Sequence, residues 1–341
     1  AEHHGRQPPS RLAELQVPHH GLDRGGLLVL STHHHEFLLT MLPDGQVTVE
    51  DQSSDATPDR AAERIVDAQV RAIRATYRRE RTRLEALLAT ERSWSPGEWR
   101  RLYQDHPITR AVASLLVWRH EFADGGVLEM LPDPYGGASY VRQDDEDGVA
   151  AYTRQREEML TPFRADAQPT SVTLWHPRDA DPAALAAWRA IRDERGLAQP
   201  FEQIDRDFTR VEPDPDSVEL NQHAPAAVDA ASFEAALTGL DWHSHRSKAG
   251  RLSDAIRLVH RDFPDARLSV TVPCREGGET VVLGAGWFYR TQDRARTALA
   301  LGYVPPRVYS EALRDLAVLA RGALPTAGGS FNTEMNDRIE F

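Results

Sequence analysis

The polar string Gln199-Pro200-Phe201-Glu202-Gln203-Ile204-Asp205-Arg206 sets two amides and a guanidinium beside a stiff proline step. Proline fixes its own backbone torsion, so Pro200 and Phe201 point to a rigid, packed loop after a helix. Donors buried in such a loop must find acceptors. Gln199, Gln203 and Arg206 could grip an anionic ligand such as a nucleotide, or tie the loop to backbone carbonyls, which is the preferred reading. A second string, Ser310-Glu311 with Arg314-Asp315, puts two acids four residues apart, hence on one helix face where they repel slightly. Arg314 can relieve Glu311 but is poorly placed for both. If the acids are buried, a cation from outside the helix is needed, and Arg206 is the candidate. Ser310 is expected to N-cap this helix by accepting from the amide of Ala312 or Leu313, which leaves Glu311 in the first turn where the helix dipole favours an acid. Gln199, Gln203, Arg206, Ser310, Glu311, Arg314 and Asp315 form the candidate node, either a ligand site or a structural ion-pair centre.

Other constellations carry less. His243 and His245 share a face only in an extended segment, and neither a nearby cysteine nor a third ligand is visible; no stoichiometric metal and no cofactor are expected. His33 and His35 would share a face of a strand, where a solvated strand entrance is preferred over metal binding. The single cysteine, Cys274, excludes an intramolecular disulfide framework and reads as a small residue closing a strand rather than a nucleophile. Gly284-Ala285-Gly286 lacks the third glycine of a dinucleotide loop and reads as strand flexibility or close packing. No GxSxG elbow, Walker-type loop or HExxH is present.

The formal charge of −12 argues against tight binding to nucleic acid or anionic membranes. Eight arginines lie between Arg60 and Arg83 against five acids between Asp59 and Glu85, a local net of +3. A solvated helix with intrahelical pairs is preferred there over a nucleic-acid or acidic-partner face. Lys248 is the only lysine among 40 basic residues, so arginine is the default cation of this chain and not by itself a sign of phosphate binding. No apolar run approaches the roughly 20 residues of a membrane-spanning helix; Leu27 to Leu30 is strand-sized, and the polar start, Ala1 to Ser10, lacks the apolar segment of a secretory signal. A cytoplasmic location is expected.

The elements that must position these groups follow from local signals. Glu36–Leu42 and Gln46–Glu50 predict a hairpin around Pro43-Asp44-Gly45. A helix is expected from about Pro58 to Thr90, with Ile65, Ile73, Tyr77, Leu84, Leu87 and Leu88 on its apolar side. Ser95-Pro96-Gly97-Glu98 is a capping box opening a helix to about Asp105, and another starts near His106-Pro107, burying Ile108, Val112, Leu115 and Leu116. Asp124 to Gly148 reads as a loop region around short strands, and Ser171 to Trp175 as a buried strand. Asp181-Pro182 caps a helix to Arg195, ended by Gly196, with Leu185, Trp188 and Ile191 inward. A short helix covers Ser232 to Leu237; Arg267–Val272 and Thr280–Phe288 predict a hairpin across Glu276-Gly277-Gly278.

Several strings, in this order, resemble the bacterial domain of unknown function 4132 family, found in MolR-like proteins and often beside a WGR domain. They are Arg83-Leu84-Glu85, Arg92-Ser93-Trp94 with Trp99, His106-Pro107, and Leu116-Val117-Trp118. His176-Pro177, Trp188, Gln199-Pro200-Phe201 with Gln203 and Arg206, Gly239 with Trp242, Pro306, Ser310-Glu311 and Arg314-Asp315 follow. The resemblance spans about residues 25 to 320 and implies no established reaction; no WGR module is recognisable. The expected fold is α+β, mixed helices with short antiparallel sheets or hairpins, in one large or two closely packed subdomains. The expected divisions are a disordered leader (1–20), an N-terminal subdomain (21–212), a C-terminal subdomain (213–322) and a flexible tail (323–341). The expected function is a noncatalytic regulatory or partner-binding module of a bacterial intracellular system, with an unknown protein partner or small anionic ligand. The alternative is an enzyme acting on a nucleotide or NAD-type ligand, by analogy with WGR modules that accompany ADP-ribosyl transfer.

Overall fold

In the computed structural model the described residues are 17–31, 35–53, 60–132, 138–144, 148–154, 169–220, 227–263, 266–277 and 279–321. Nearly all of the expected leader, His33 and the whole of the expected tail lie outside them. The fold is α+β, with three antiparallel sheets, and the chain divides into two compact units between Ile204 and Asp205, whereas the expected division falls after Glu212.

In the first unit, β1 (Leu27–Ser31), β2 (Glu36–Met41) and β3 (Val47–Asp51) form a meander. The expected hairpin is β2–β3, in register from Phe37↔Asp51 to Met41↔Val47. Helix α1 (Arg60–Leu87) runs on as a 3-10 turn to Thr90. Its buried side carries Val66, Ile73, Tyr77, Leu84 and Leu87, whereas Ile65, expected inward, is 54% exposed, because it falls between the apolar and charged faces of the helix. The Ser95–Glu98 capping box is present in both directions and opens α2 (Pro96–Trp99), which continues as a π turn to Gln104. Helix α3 (Pro107–Ala113) follows.

The central sheet has the order β4-β9-β5-β6-β7-β8, from β4 (Ser93–Trp94), β5 (Trp118–Glu121), β6 (Val127–Pro132), β7 (Ala138–Asp144), β8 (Gly148–Arg154) and β9 (Ser171–Leu174). The short strands expected between Asp124 and Gly148 are β6 and β7, with β8 opening at Gly148. Glu129 interrupts the apolar run of β6 and hid its pattern. One face of this sheet buries Trp94, Trp118, Leu128, Met130, Tyr140, Val172 and Leu174; the other receives α4 (Pro182–Arg195), N-capped by Asp181 and ended by Gly196 in the left-handed region.

The second unit holds β10 (Ala227–Asp229), α5 (Ala230–Gly239), β11 (His243–Arg246), β12 (Leu252–Phe263), β13 (Ala266–Gly277), β14 (Thr280–Leu283), β15 (Trp287–Arg290) and α6 (Pro306–Arg321). Its sheet order is β10-β14-β13-β12-β11, with β15 also on β13. The expected hairpin pairs β13 with β14, in register from Cys274↔Leu283 to Gly277↔Thr280, and is amended in two ways. The long strand β12 pairs with β13, and Thr280–Phe288 splits into β14 and β15 at Gly284–Gly286. The split is a packing requirement: a Cβ on Gly284 would sit 2.8 Å from the Pro273 ring, and one on Gly286 would sit 3.1 Å from the Thr271 carbonyl oxygen. Helix α6 begins at Pro306, so Ser310 lies inside it and is not its N-cap; proline at the first helical position marked the start.

Gly45 closes the β2–β3 turn at φ +82°, and a Cβ there would lie 2.4 Å from the Tyr77 ring, whose hydroxyl donates to the Pro43 carbonyl at 3.2 Å. Gly45→Ala is expected to cost at least about 2 kcal/mol, since it combines backbone strain with a clash against a buried ring. Chemical denaturation measures this; an unchanged midpoint would show that the turn tolerates a side chain.

Candidate functional site

The polar string is divided between the units, and each part is satisfied within its own. In the first unit, Val117 immediately precedes β5 and Trp175 immediately follows β9, and Trp175 N donates to Val117 O at 3.2 Å. The fully buried Gln203 amide sits beyond this last rung. Its Oε1 accepts from Val117 N at 2.7 Å, and its Nε2 donates to Val117 O and Trp175 O, both at 2.9 Å. Gln199 completes the arrangement: its Nε2 donates to Leu115 O and to Gln203 Oε1, and its Oε1 accepts from the amides of Gln203 and Ile204. A primary amide offers two donors and two acceptor lone pairs. All four are used in both glutamines.

In the second unit, every residue of α6 from Arg307 to Leu319 is buried, polar face included. Arg206 grips Glu311 in a two-pronged pair, Nε to Oε1 at 2.7 Å and Nη2 to Oε2 at 2.6 Å. Ser310 accepts on Oγ from Thr209 N at 3.0 Å. Asp315, fully buried, receives the Trp242 indole N–H at 2.9 Å and the Arg257 guanidinium on Oδ2, and Arg314 at 3.3 Å on Oδ1. Two outside cations thus serve the two acids. Arg257 went unrecognised because it lies on β12, opposite the buried Val270. Beside them, burial raises the Asp207 carboxyl against the opposing pull of Arg314, Arg321 and Arg206.

The remaining candidates stand apart. His243 and His245 are exposed on β11, with His245 Nδ1 3.2 Å from Ser253 Oγ. Among the described residues, no group of three or more His, Cys, Asp or Glu is placed to hold a metal. Cys274 is buried on β13, and burial pushes its thiol up to about 12, far from the thiolate a nucleophile requires. His35 is buried 3.6 Å from Asp51.

Sequence reasoning passed over Glu129, a buried acid on β6 held by the Trp188 indole N–H at 2.6 Å. Burial raises its carboxyl above the usual range, while Trp188, Trp175 and Arg119 pull it down. A lone acid inside Val127-Leu128-Glu129-Met130-Leu131 was the available signal. Two His-Pro steps also gain a role. His106 Nδ1 accepts the amides of Ile108 and Thr109 to cap α3, which places its proton on Nε2, 3.1 Å from Val17 O; His176 Nδ1 likewise accepts from Arg178 N.

Arg206→Ala is expected to destabilise the protein by about 3–5 kcal/mol, because Glu311 loses its paired cation while staying buried. Replacing Arg206 and Glu311 together with leucine should recover much of that loss in urea denaturation. Equal losses for the single and double variants would show that the pair is not what matters. Burial also lowers both His106 and His120 from 6.5 to about 4. The unfolded chain then takes up protons that the native state refuses, so stability is full above 6.5 and falls as the pH drops towards 4, by about 1.4 kcal/mol per pH unit for each histidine. His120 Nε2 has no hydrogen-bond partner among the described residues, so His120→Phe should shrink this acid loss without a new penalty. Melting curves from pH 7 to 4 that run parallel to wild type would refute this.

The tryptophans of the strings quoted above (Trp94, Trp99, Trp118, Trp188 and Trp242) are all buried, as are Gln203, Arg206, Glu311 and Asp315. No curated protein and no solved structure matches the chain. The family model described as Domain of unknown function (DUF4132) matches residues 51–242, more than half of the sequence, and the chain belongs to that family.

Proposed function

We propose that this protein is a noncatalytic regulatory or partner-binding module of a bacterial cytoplasmic system, of the kind found in MolR-like, WGR-associated proteins. One observation carries the reading: the polar residues best suited to hold a ligand are consumed by the fold. Gln199 and Gln203 use every donor and acceptor on backbone and on each other, and Arg206 is spent on Glu311 at about 1% exposure. An enzyme acting on a nucleotide or NAD-type ligand needs free donors converging on a cleft. These side chains could serve one only by abandoning the bonds that hold their units together.

The test is to incubate the purified chain with NAD and with nucleoside triphosphates, follow turnover by proton NMR, and examine bound species by native mass spectrometry. No turnover and no stoichiometric nucleotide are expected, and gel shifts should show no submicromolar, salt-sensitive affinity for duplex DNA. NAD consumption that vanishes in Gln203→Leu or Arg206→Leu proteins that remain folded would overturn the reading.

A further inference from the structure

Helix α1 carries an outer row of charge that the described residues of its own unit neutralise only in part. At 100° per residue, Arg60, Arg64, Asp67, Arg71, Arg74, Arg78, Arg81 and Glu85 fall within an arc of about 100°, turned away from the apolar side formed by Val66, Ile73 and Leu84. Their spacing alternates four and three without a break, giving six arginines against two acids along about 38 Å of helix, with the exposed Glu63 as a third acid at the edge of the same arc. All the arginines in the row are exposed. The expected intrahelical pairing occurs at Glu80, which faces inward and meets Arg79 and Arg83. It does not occur along the row. Arg74 and Arg81 donate to the carbonyls of Val47 and Pro200, while the guanidinium groups of Arg60, Arg64, Arg71 and Arg78 meet no acceptor among the described residues. Like charges three and four residues apart cost an isolated helix about 0.2–0.5 kcal/mol per pair. Arg74 and Arg81 thus gain a backbone acceptor each, whereas the repulsion between Arg60 and Arg64 and among Arg71, Arg74 and Arg78 is offset only by Asp67 within the row.

We propose that this row is a docking surface for an acidic α-helix of another protein, lying along α1 with carboxylates at the same four-three spacing. The inference rests on the partner-binding reading and names the chemistry of the partner. A four-three repeat is the pattern two helices share when they run side by side at a shallow angle, and arginine matches a carboxylate two bonds at a time. Asp67, in the middle of the row, would repel a phosphate backbone but accept a basic residue from a helical partner. The overall charge of −12 also disfavours a nucleic acid, whereas a local row keeps its attraction within a screening length of about 8 Å at physiological salt.

The probe is a fluorescent helical peptide of about four heptads, with glutamate at the four-three positions and alanine and glutamine elsewhere, titrated by anisotropy at low salt. Its controls are a peptide of the same composition with the glutamates off that spacing, a lysine-row peptide and a duplex oligonucleotide. The intact protein should bind the glutamate-row peptide, and the exposed triple variant R64E/R71E/R78E should lose at least tenfold in affinity while keeping its circular dichroism and melting temperature. The same variant should gain affinity for the lysine-row peptide. No binding by wild type, equal binding of the off-spacing peptide, indifference to the triple reversal, or better competition by the oligonucleotide would each overturn the proposal. Such a failure would leave the noncatalytic reading standing, just as NAD turnover would end that reading without touching the peptide result.

Discussion

Glu311 and Asp315 sit on a helix that has no exposed residue between Arg307 and Leu319, and that burial governs the second unit. Removing a carboxylate from water costs several kcal/mol unless a cation and hydrogen bonds meet it where it lies. Here the cations come from separate parts of the chain: Arg206 from the segment that opens the unit, and Arg257 from the core face of β12. The Trp242 indole adds a neutral donor from the turn between α5 and β11. Rotating α6 by one residue would swing both acids through 100° and away from all three. The polar contacts thus set which way the helix faces, while Val308, Leu313, Leu316 and Leu319 supply the apolar burial.

The first unit solves a similar problem without charge. Gln203 behaves as a detached piece of backbone, pairing with Val117 and Trp175 as a further strand residue would. A neutral amide avoids the desolvation cost of an ion, but it tolerates little change: glutamate would place an acceptor against two carbonyls, and leucine would leave the ends of β5 and β9 unsatisfied. Both solutions bind segments remote in sequence, through the buried side chains of Gln203, Arg206, Glu311 and Asp315.

What could be read from the sequence was what local rules dictate. The Asp181–Gly196 helix has its cap, its proline at the first turn and its terminal glycine in one window, and the Pro43-Asp44-Gly45 turn sits between two alternating runs. The elements that were missed carry charge where a pattern needs apolar residues. Asp254 and Arg257 disguise β12, and Glu129 disguises β6, because their partners come from Arg296, Asp315 and Trp188, far away in the chain. Ser310 looked like a cap because serine before an acid has that form; Pro306 decided the start, and the serine hydroxyl was needed elsewhere, by Thr209. Gln203 and Arg206 were legible as residues that must find acceptors, but their assignment to two different units was not, since nothing local marks the division after Ile204.

Cys274 gives the second unit an internal clock. It is the only thiol in the chain, it is buried on β13 between β12 and β14, and its proton is held until about pH 12. In the closed sheet it is neither accessible nor nucleophilic, so an alkylating reagent reacts only when that sheet opens. The pace of thiol labelling then counts openings of one unit, with no tag and no introduced residue.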